Sequence, residues 1–176
     1  MTTSTTGRLL VATPDLADPN FHRTVVLMFA HDEGGALGVV LNRPSAISVD
    51  EGLPGWAQVA APPACVYLGG PVEPTAALGL GEGEGETSDL IVGSLGAIDL
   101  SGGPEEYRSV RVFAGYAGWG PMQLDREVAR GDWFVVDAQV ADVTTATPDR
   151  LWREVLRRQR SRVSVFATAP DDPSLN

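Results

Sequence analysis

Residues 109–133 read SVRVFAGYAGWGPMQLDREVARGDW, and the rest of the chain is organised around this stretch. Val110, Val112 and Ala114 alternate with Ser109, Arg111 and Phe113, the period-2 pattern of a strand. Gly115, Gly118 and Gly120 then predict a turn, because glycine accepts backbone angles that a Cβ forbids. Pro121 suits the first helical position, where a missing N–H costs nothing. The helix predicted over 121–130 stops at Gly131, with Arg126 and Arg130 near the negative end of its dipole. Met122, Leu124 and Val128 form the side expected to lie on the strand. A further strand runs from Trp133 to Val136.

Upstream of this centre, Arg8–Ala12, Thr24–His31 and Ala36–Leu41 read as apolar strands. Asp32-Glu33-Gly34-Gly35 has the length and composition of a hairpin connection. Near-continuous apolarity in the two strands it joins predicts burial on both faces. Asp15, Asp18 and His22 lie in a Pro-rich loop, where Asp beside Pro is turn chemistry and no second ligand cluster supports a metal. Ser48-Val49-Asp50-Glu51 fits a capping box, with a further turn near Trp56–Ala60. Cys65–Leu68 and Ala76–Leu80 are short strands, and the glycine-rich GEGEGETS of 81–88 reads as a mobile acidic loop. It holds no dinucleotide fingerprint, and its glutamates repel phosphate. Leu90–Val92 and Ala97–Leu100 are short strands, and Glu105–Arg108 allows one helical turn. Ser94 is not in a nucleophile elbow, since Val92 stands where the first glycine must be. Thr147-Pro148-Asp149 opens a last helix with an apolar stripe of Leu151, Trp152, Val155 and Leu156.

Composition bounds the function. A chain of 176 residues with 43% apolar content fits one domain with a sizeable core. The expected layout is a disordered end over residues 1–6, a single α+β domain over 7–162 and an extended tail over 163–176. The net charge of −10 opposes direct DNA binding. Residues 150–162 are the exception, with six arginines and one glutamate. That basic helix either pairs with the acidic body or makes a small basic patch. The single Cys65 excludes an intrachain disulfide and points to a reducing compartment. No apolar run reaches the ~20 residues of a membrane span, and the polar start does not read as a signal peptide. A cytoplasmic monomer or weak dimer is expected, with no cofactor. All 13 basic residues are arginine, which with abundant Ala, Gly and Pro suits a GC-rich bacterial genome.

Four stretches, in this order, carry a resemblance. GRLLVATPDLADPNFHRTVVLMFAHDEGGALGVVLNRP (7–44) is followed by YLGGPV (67–72), FAGYAGWGPMQLDREVARGDW (113–133) and LWREVL (151–156). This succession resembles the YqgE/AlgH family of bacterial proteins. Asn42-Arg43-Pro44, Gly69-Gly70-Pro71-Val72 and Gly118-Trp119-Gly120 with Gln123-Leu124 are its specific elements. Arg43 stands where many members have lysine, which keeps the charge. The resemblance implies an α+β fold whose mixed, strongly bent sheet makes a partial barrel with a few flanking helices. It implies no established reaction. Some members are labelled transcriptional regulators, yet no helix-turn-helix is present here.

The motif loops all follow predicted strands, and loops at the ends of neighbouring strands gather in space. Asn42, Arg43, Gly70, Tyr116, Gly118, Trp119 and Gln123 are therefore expected around one crevice. The turn before Pro121 offers backbone N–H groups at a positive helix end, suited to a small anion, with Trp119 as an aromatic wall. The same residues also fit a packing role, in which the glycines allow close approach and Trp119 plugs the barrel end. Arg43 likewise reads either as a ligand contact or as a closure over the sheet edge paired with Glu73. Two functions follow: a non-enzymatic binding or regulatory module for a small anion or protein partner, or an enzyme of unknown, hydrolytic type. No nucleophile–base pair selects a reaction. A histidine bonded to a serine or carboxylate in a shared pocket favours the enzyme.

Overall fold

The computed structural model describes residues 3–171. Strands β1 (Arg8–Ala12), β2 (Val25–Asp32) and β3 (Gly35–Val40) form an antiparallel meander. The next strands are β4 (Pro44–Ser48), β5 (Cys65–Leu68), β6 (Val72–Gly83), β7 (Thr87–Val92) and β8 (Leu95–Ile98). The central strand β9 (Tyr107–Trp119) and β10 (Trp133–Asp137) complete a ten-stranded sheet; eight strands run in the order β10-β1-β2-β3-β9-β6-β8-β7, and β4 and β5 branch from it, β5 pairing with β9 and β4 with β5. Around it lie α1 (Val49–Gly52), α2 (Gln123–Arg130), α3 (Val140–Thr144) and α4 (Leu151–Arg157).

The curl of the sheet follows from β9. One edge of β9 pairs antiparallel with β6, from Val72↔Tyr116 to Gly83↔Tyr107. The other edge takes β3 at Ala117–Trp119 and then β5, in parallel, at Phe113–Ala114. One strand serving successive neighbours on the same edge bends the sheet into a half-barrel. The fold is thus α+β with a mixed, strongly bent sheet, as expected, and β5–β9 is its parallel pair among the described strands.

Burial on both faces explains the apolar runs. In β1, Leu9 and Val11 join the core under α3 and α4, while Leu10 and Ala12 join a second core under α2. Leu27 and Val39 face the first core, and Val26, Met28 and Val40 the second. Each such side chain, fully buried, contributes about 1.5–3 kcal/mol.

The glycines of two motifs allow backbones to touch. A Cβ on Gly70 would stand 2.2 Å from the carbonyl of Tyr116, and one on Gly69 2.3 Å from the oxygen of Gly115. Gly115 itself has φ +72 and lies against the oxygen of Gly70. It kinks β9 without ending it.

Arg111 fastens the interior and is 2% exposed. Its Nε donates to Val143 O, NH1 to Ala61 O and Pro63 O, and NH2 to Pro62 O and Thr145 O. Carbonyls replace a carboxylate as the charge's solvation.

Several expectations are corrected. The turn at 115–120 is strand as far as Trp119, because pairing with β3 outweighs the local turn propensity of its glycines. The helix starts at Gln123, not Pro121; Met122 precedes it in the left-handed region at φ +57, and the side chain of Gln123 accepts from Gly120 N–H. Leu124 is buried and Val128 packs beside it, but Met122 is 44% exposed. Gly131 is the left-handed C-cap as read. The acidic loop shrinks to residues 84–86, since β6 and β7 claim its flanks. Residues 107–108 are strand, not a helical turn. At the N-terminus the described residues are not loose: Thr5 is buried and its N–H donates to His31 Nδ1. The tail is not extended over its described length, because Arg162–Thr168 winds as a 3-10 helix with Ala167 in the core. Residues 1–2 and 172–176 lie outside the described residues.

Candidate functional site

Asn42 and Arg43 follow β3 after one residue, Leu41. The Asn42 side chain accepts from Val25 N–H at 3.0 Å and donates to Arg23 O at 2.9 Å, so it ties the preceding loop to the sheet rim. Arg43 lies on the same rim. Its NH2 donates to His22 O at 2.9 Å and its NH1 to Pro19 O at 3.3 Å. No ion pair joins it to Glu73 among the described residues. Arg43 is the shared wall of two clefts. One, of about 230 Å³, is lined with it by Asn20, Val40, Leu68, Gly70, Pro71, Pro74 and Ala114. The other, of about 210 Å³, is lined by His22, Arg23, Asn42, Asp149, Trp152, Arg153 and Asp171.

The second cleft concentrates charge. The guanidinium of Arg23 lies 4.2 Å from the Trp152 ring centroid, and that of Arg153 lies 5.7 Å from the same ring. Trp152 is fixed in turn by its indole N–H, which donates to Ala12 O at 2.9 Å. Burial lowers the pKa of Arg23 below its usual value, the nearby charge of Arg153 lowers it further, and Asp171 acts in the opposite direction. The Asp171 carboxylate reaches Arg153 at 3.0 Å and Arg23 at 3.5 Å.

Trp119 and Gln123 belong elsewhere. The indole N–H groups of Trp119 and Trp133 both donate to Glu127 Oε2 at 2.9 Å, and Gln123 Nε2 donates to Glu127 Oε1 at 3.0 Å. Phe21 stacks on Trp119 at 5.8 Å. These residues close the core under α2. Tyr116, three positions earlier on β9, packs against the opposite core, and its ring lies 3.7 Å from a Cβ built on Gly118. Gly118 pairs with Leu37, so residues 117–119 are strand on the β3 ladder and not the helix-start turn expected to bind an anion. Of the seven residues expected around one crevice, Gly70 lines the first cleft with Arg43 and Asn42 lines the second; Tyr116, Gly118, Trp119 and Gln123 line neither.

A different pocket, of about 340 Å³, holds His31, Asp125, Thr5 and Arg8. His31 Nδ1 accepts from Thr5 N–H at 3.2 Å and lies 3.1 Å from Thr5 Oγ1. An amide can only donate, so the ring proton sits on Nε2, which faces Asp125 Oδ2 at 3.2 Å. His22 instead caps its own loop through Leu16 O, and Asp18 accepts from Asn20 N–H, as turn chemistry predicts. Among the described residues no group of three or more His, Cys, Asp or Glu is placed to hold a metal. Likewise no helix is long and apolar enough to cross a membrane.

The basic segment pairs once with the acidic body and once with the tail. Arg158 binds Asp142, whose side chain is 4% exposed, and Arg153 binds Asp171. The sequence reading missed Arg23, Arg153, Asp171 and Glu127 as site-forming residues. Arg23 and Arg153 lie 130 positions apart, and no local pattern joins them; Glu127 was readable only as one more acid on an amphipathic helix.

The half-barrel α+β sheet with a few flanking helices defines the class of fold. The chain belongs to the AlgH-like family, whose model matches residues 9–164. It is 52% identical over 185 residues to a UPF0301 protein of Streptomyces avermitilis, covering 98% of this chain and 96% of that one. A UPF0301 protein of Thermobifida fusca is 44% identical, covering 98% and 96%. Among solved structures, a crystal structure from Corynebacterium diphtheriae matches at 31% identity and a TM-score of 0.84, covering 93% of this chain and 91% of that one. The solution structure of the AlgH protein from Pseudomonas aeruginosa matches at 29% identity and a TM-score of 0.68, covering 97% of each chain.

Proposed function

We propose that this chain is a non-enzymatic binding module of regulatory type, acting in the cytoplasm, whose recognition surface is the pair of clefts on either side of Arg43. The observation that supports this is the state of Arg43. Two backbone carbonyls hold its guanidinium at the rim, and no carboxylate neutralises it among the described residues. A cation held in place by neutral groups keeps its charge for an anionic group on a ligand or protein partner. Direct DNA recognition is not part of this reading, because the net charge of −10 opposes it.

The test is a set of thermal melts of the wild type and Arg43→Ala, with phosphate, sulfate and small carboxylates. Protection of the wild type that weakens about ten- to hundredfold in apparent affinity in the variant supports the reading, since a charge-assisted contact contributes about 1.5–3 kcal/mol. Equal melts in every anion, with a less stable variant, assign Arg43 to structure.

One observation favours a second reading, a hydrolytic enzyme. His31, Asp125 and Thr5 form a hydroxyl–imidazole–carboxylate series in one pocket. Against it, the Nδ1 lone pair that a general base needs already accepts the Thr5 amide. Turnover of a simple aryl ester that is lost in His31→Gln would favour the enzyme.

A further inference from the structure

Arg23 and Arg153 both lie against the Trp152 ring, and the chain's own tail supplies a carboxylate to both. We infer that Asp171 is a resident stand-in for the ligand: its carboxylate holds an anion position between Arg23 and Arg153, and a phosphate or phosphate-monoester dianion binds there by displacing it. This rests on the reading that the clefts beside Arg43 receive an anion, and it names the position and the chemistry.

The side chains are held before any ligand arrives. Arg153 donates to Ala167 O and Ala169 O, and Arg23 to Ala169 O and Pro170 O. These carbonyls fix both guanidiniums but cancel neither charge. Arg23 is 15% exposed at its side chain, and its buried Nε has no hydrogen-bond partner. The mutual repulsion of Arg23 and Arg153 is relieved only by an anion between them; burial first, and then the like charge of Arg153, lower the Arg23 pKa, while Asp171 acts the other way.

Asp171 answers this incompletely. Its side chain is 90% exposed, and one oxygen, Oδ1, makes both contacts. An exposed ion pair of this kind is weak. A phosphate group carries more charge and presents at least three oxygens, enough to meet Arg23, Arg153 and Arg43 on the walls of the same 210 Å³ cleft. The tail carboxylate thus sets a threshold: ligands that bind no better than a single carboxylate do not enter.

Titration calorimetry at constant ionic strength tests this with inorganic phosphate, phenyl phosphate and acetate, on the wild type, Asp171→Asn, Arg153→Gln and Arg43→Ala. The expected result is phosphate binding that tightens about two- to fivefold in Asp171→Asn, the size of one exposed ion pair, and weakens in Arg153→Gln, with acetate binding worse than phosphate throughout. Tighter binding of phenyl phosphate than of phosphate assigns the site to monoesters; the reverse assigns it to the free ion. Phosphate binding that depends on Arg43 but is unchanged by Asp171→Asn and Arg153→Gln overturns the displacement while leaving the Arg43 reading intact. No phosphate binding to any variant, Asp171→Asn included, overturns both.

Discussion

The guanidinium of Arg111 lies 4.3 Å from the ring centroid of Tyr67, and the two are buried together in the interior of the half-barrel. Burial lowers the Arg111 pKa from its usual value, and burial raises that of the Tyr67 phenol. The pair is a charge held by carbonyls and an aromatic face, beside a hydroxyl with no hydrogen-bond partner among the described residues. Arg111→Ala removes the donors of five carbonyl bonds that join residues 61–63 to residues 143–145. We expect a loss of about 3–5 kcal/mol in urea unfolding.

Tyr67→Phe is expected to be neutral or stabilising by about 1 kcal/mol, because it deletes a buried, unpaired hydroxyl and keeps the ring under Arg111. It should also change the alkaline limb of stability. A phenol whose folded pKa is raised binds its proton in the folded state when the unfolded chain has lost it. Its contribution is complete below the unfolded value and is lost as pH rises from there through the folded value. The difference in stability between Tyr67→Phe and wild type should therefore be flat at neutral pH and shift in favour of the variant above about pH 10. Parallel slopes of stability against pH in the two proteins would contradict this.

Glu127 accepts two indole N–H groups on one oxygen, so its removal leaves both tryptophans unpaired in a buried cluster. Glu127→Ala is expected to cost about 2–4 kcal/mol, and Glu127→Gln, which keeps an acceptor oxygen, less than half of that. Denaturation followed by tryptophan fluorescence measures both.

Gly70 and Gly118 both lie in family motifs but should respond in opposite ways. A Cβ at 70 meets backbone at 2.2 Å, whereas one at 118 finds its nearest neighbours at 3.7 Å. Gly70→Ala is expected to destabilise by about 3 kcal/mol or more, and Gly118→Ala by under about 1 kcal/mol. Similar melting temperatures for the two variants would show that β9 moves away from the Gly69–Gly70 crossing.

His31 anchors the first described residues through Thr5. His31→Ala should abolish hydrogen-exchange protection at the Thr5 amide while leaving that of Val110 and Val112 in β9 unchanged. Retained protection at Thr5 would mean that Arg8–Ala12 alone orders the segment.

The sequence by itself determined the alternation of β9, the two buried strands read at 24–31 and 36–41 and found at 25–32 and 35–40, the tight hairpin between them, the Gly131 cap and the apolar stripe of the last helix. Each of these rests on neighbours in the chain, where spacing alone fixes which side chains share a face. The fold class, a bent mixed sheet making a partial barrel, was legible through the resemblance carried by the ordered motifs and not through spacing. Only the tertiary structure decided that Gly115–Trp119 continues as strand, because its partners, β3 at residues 117–119 and β6 at Tyr116, lie some forty to eighty residues earlier in the chain. It also decided that Trp119 and Gln123 serve Glu127, since a one-residue step along β9 turns a side chain to the other face of the sheet. Arg23, Arg153 and Asp171 meet only because α4 and the tail fold back over the loop before β2, and no periodicity records a contact across 130 residues.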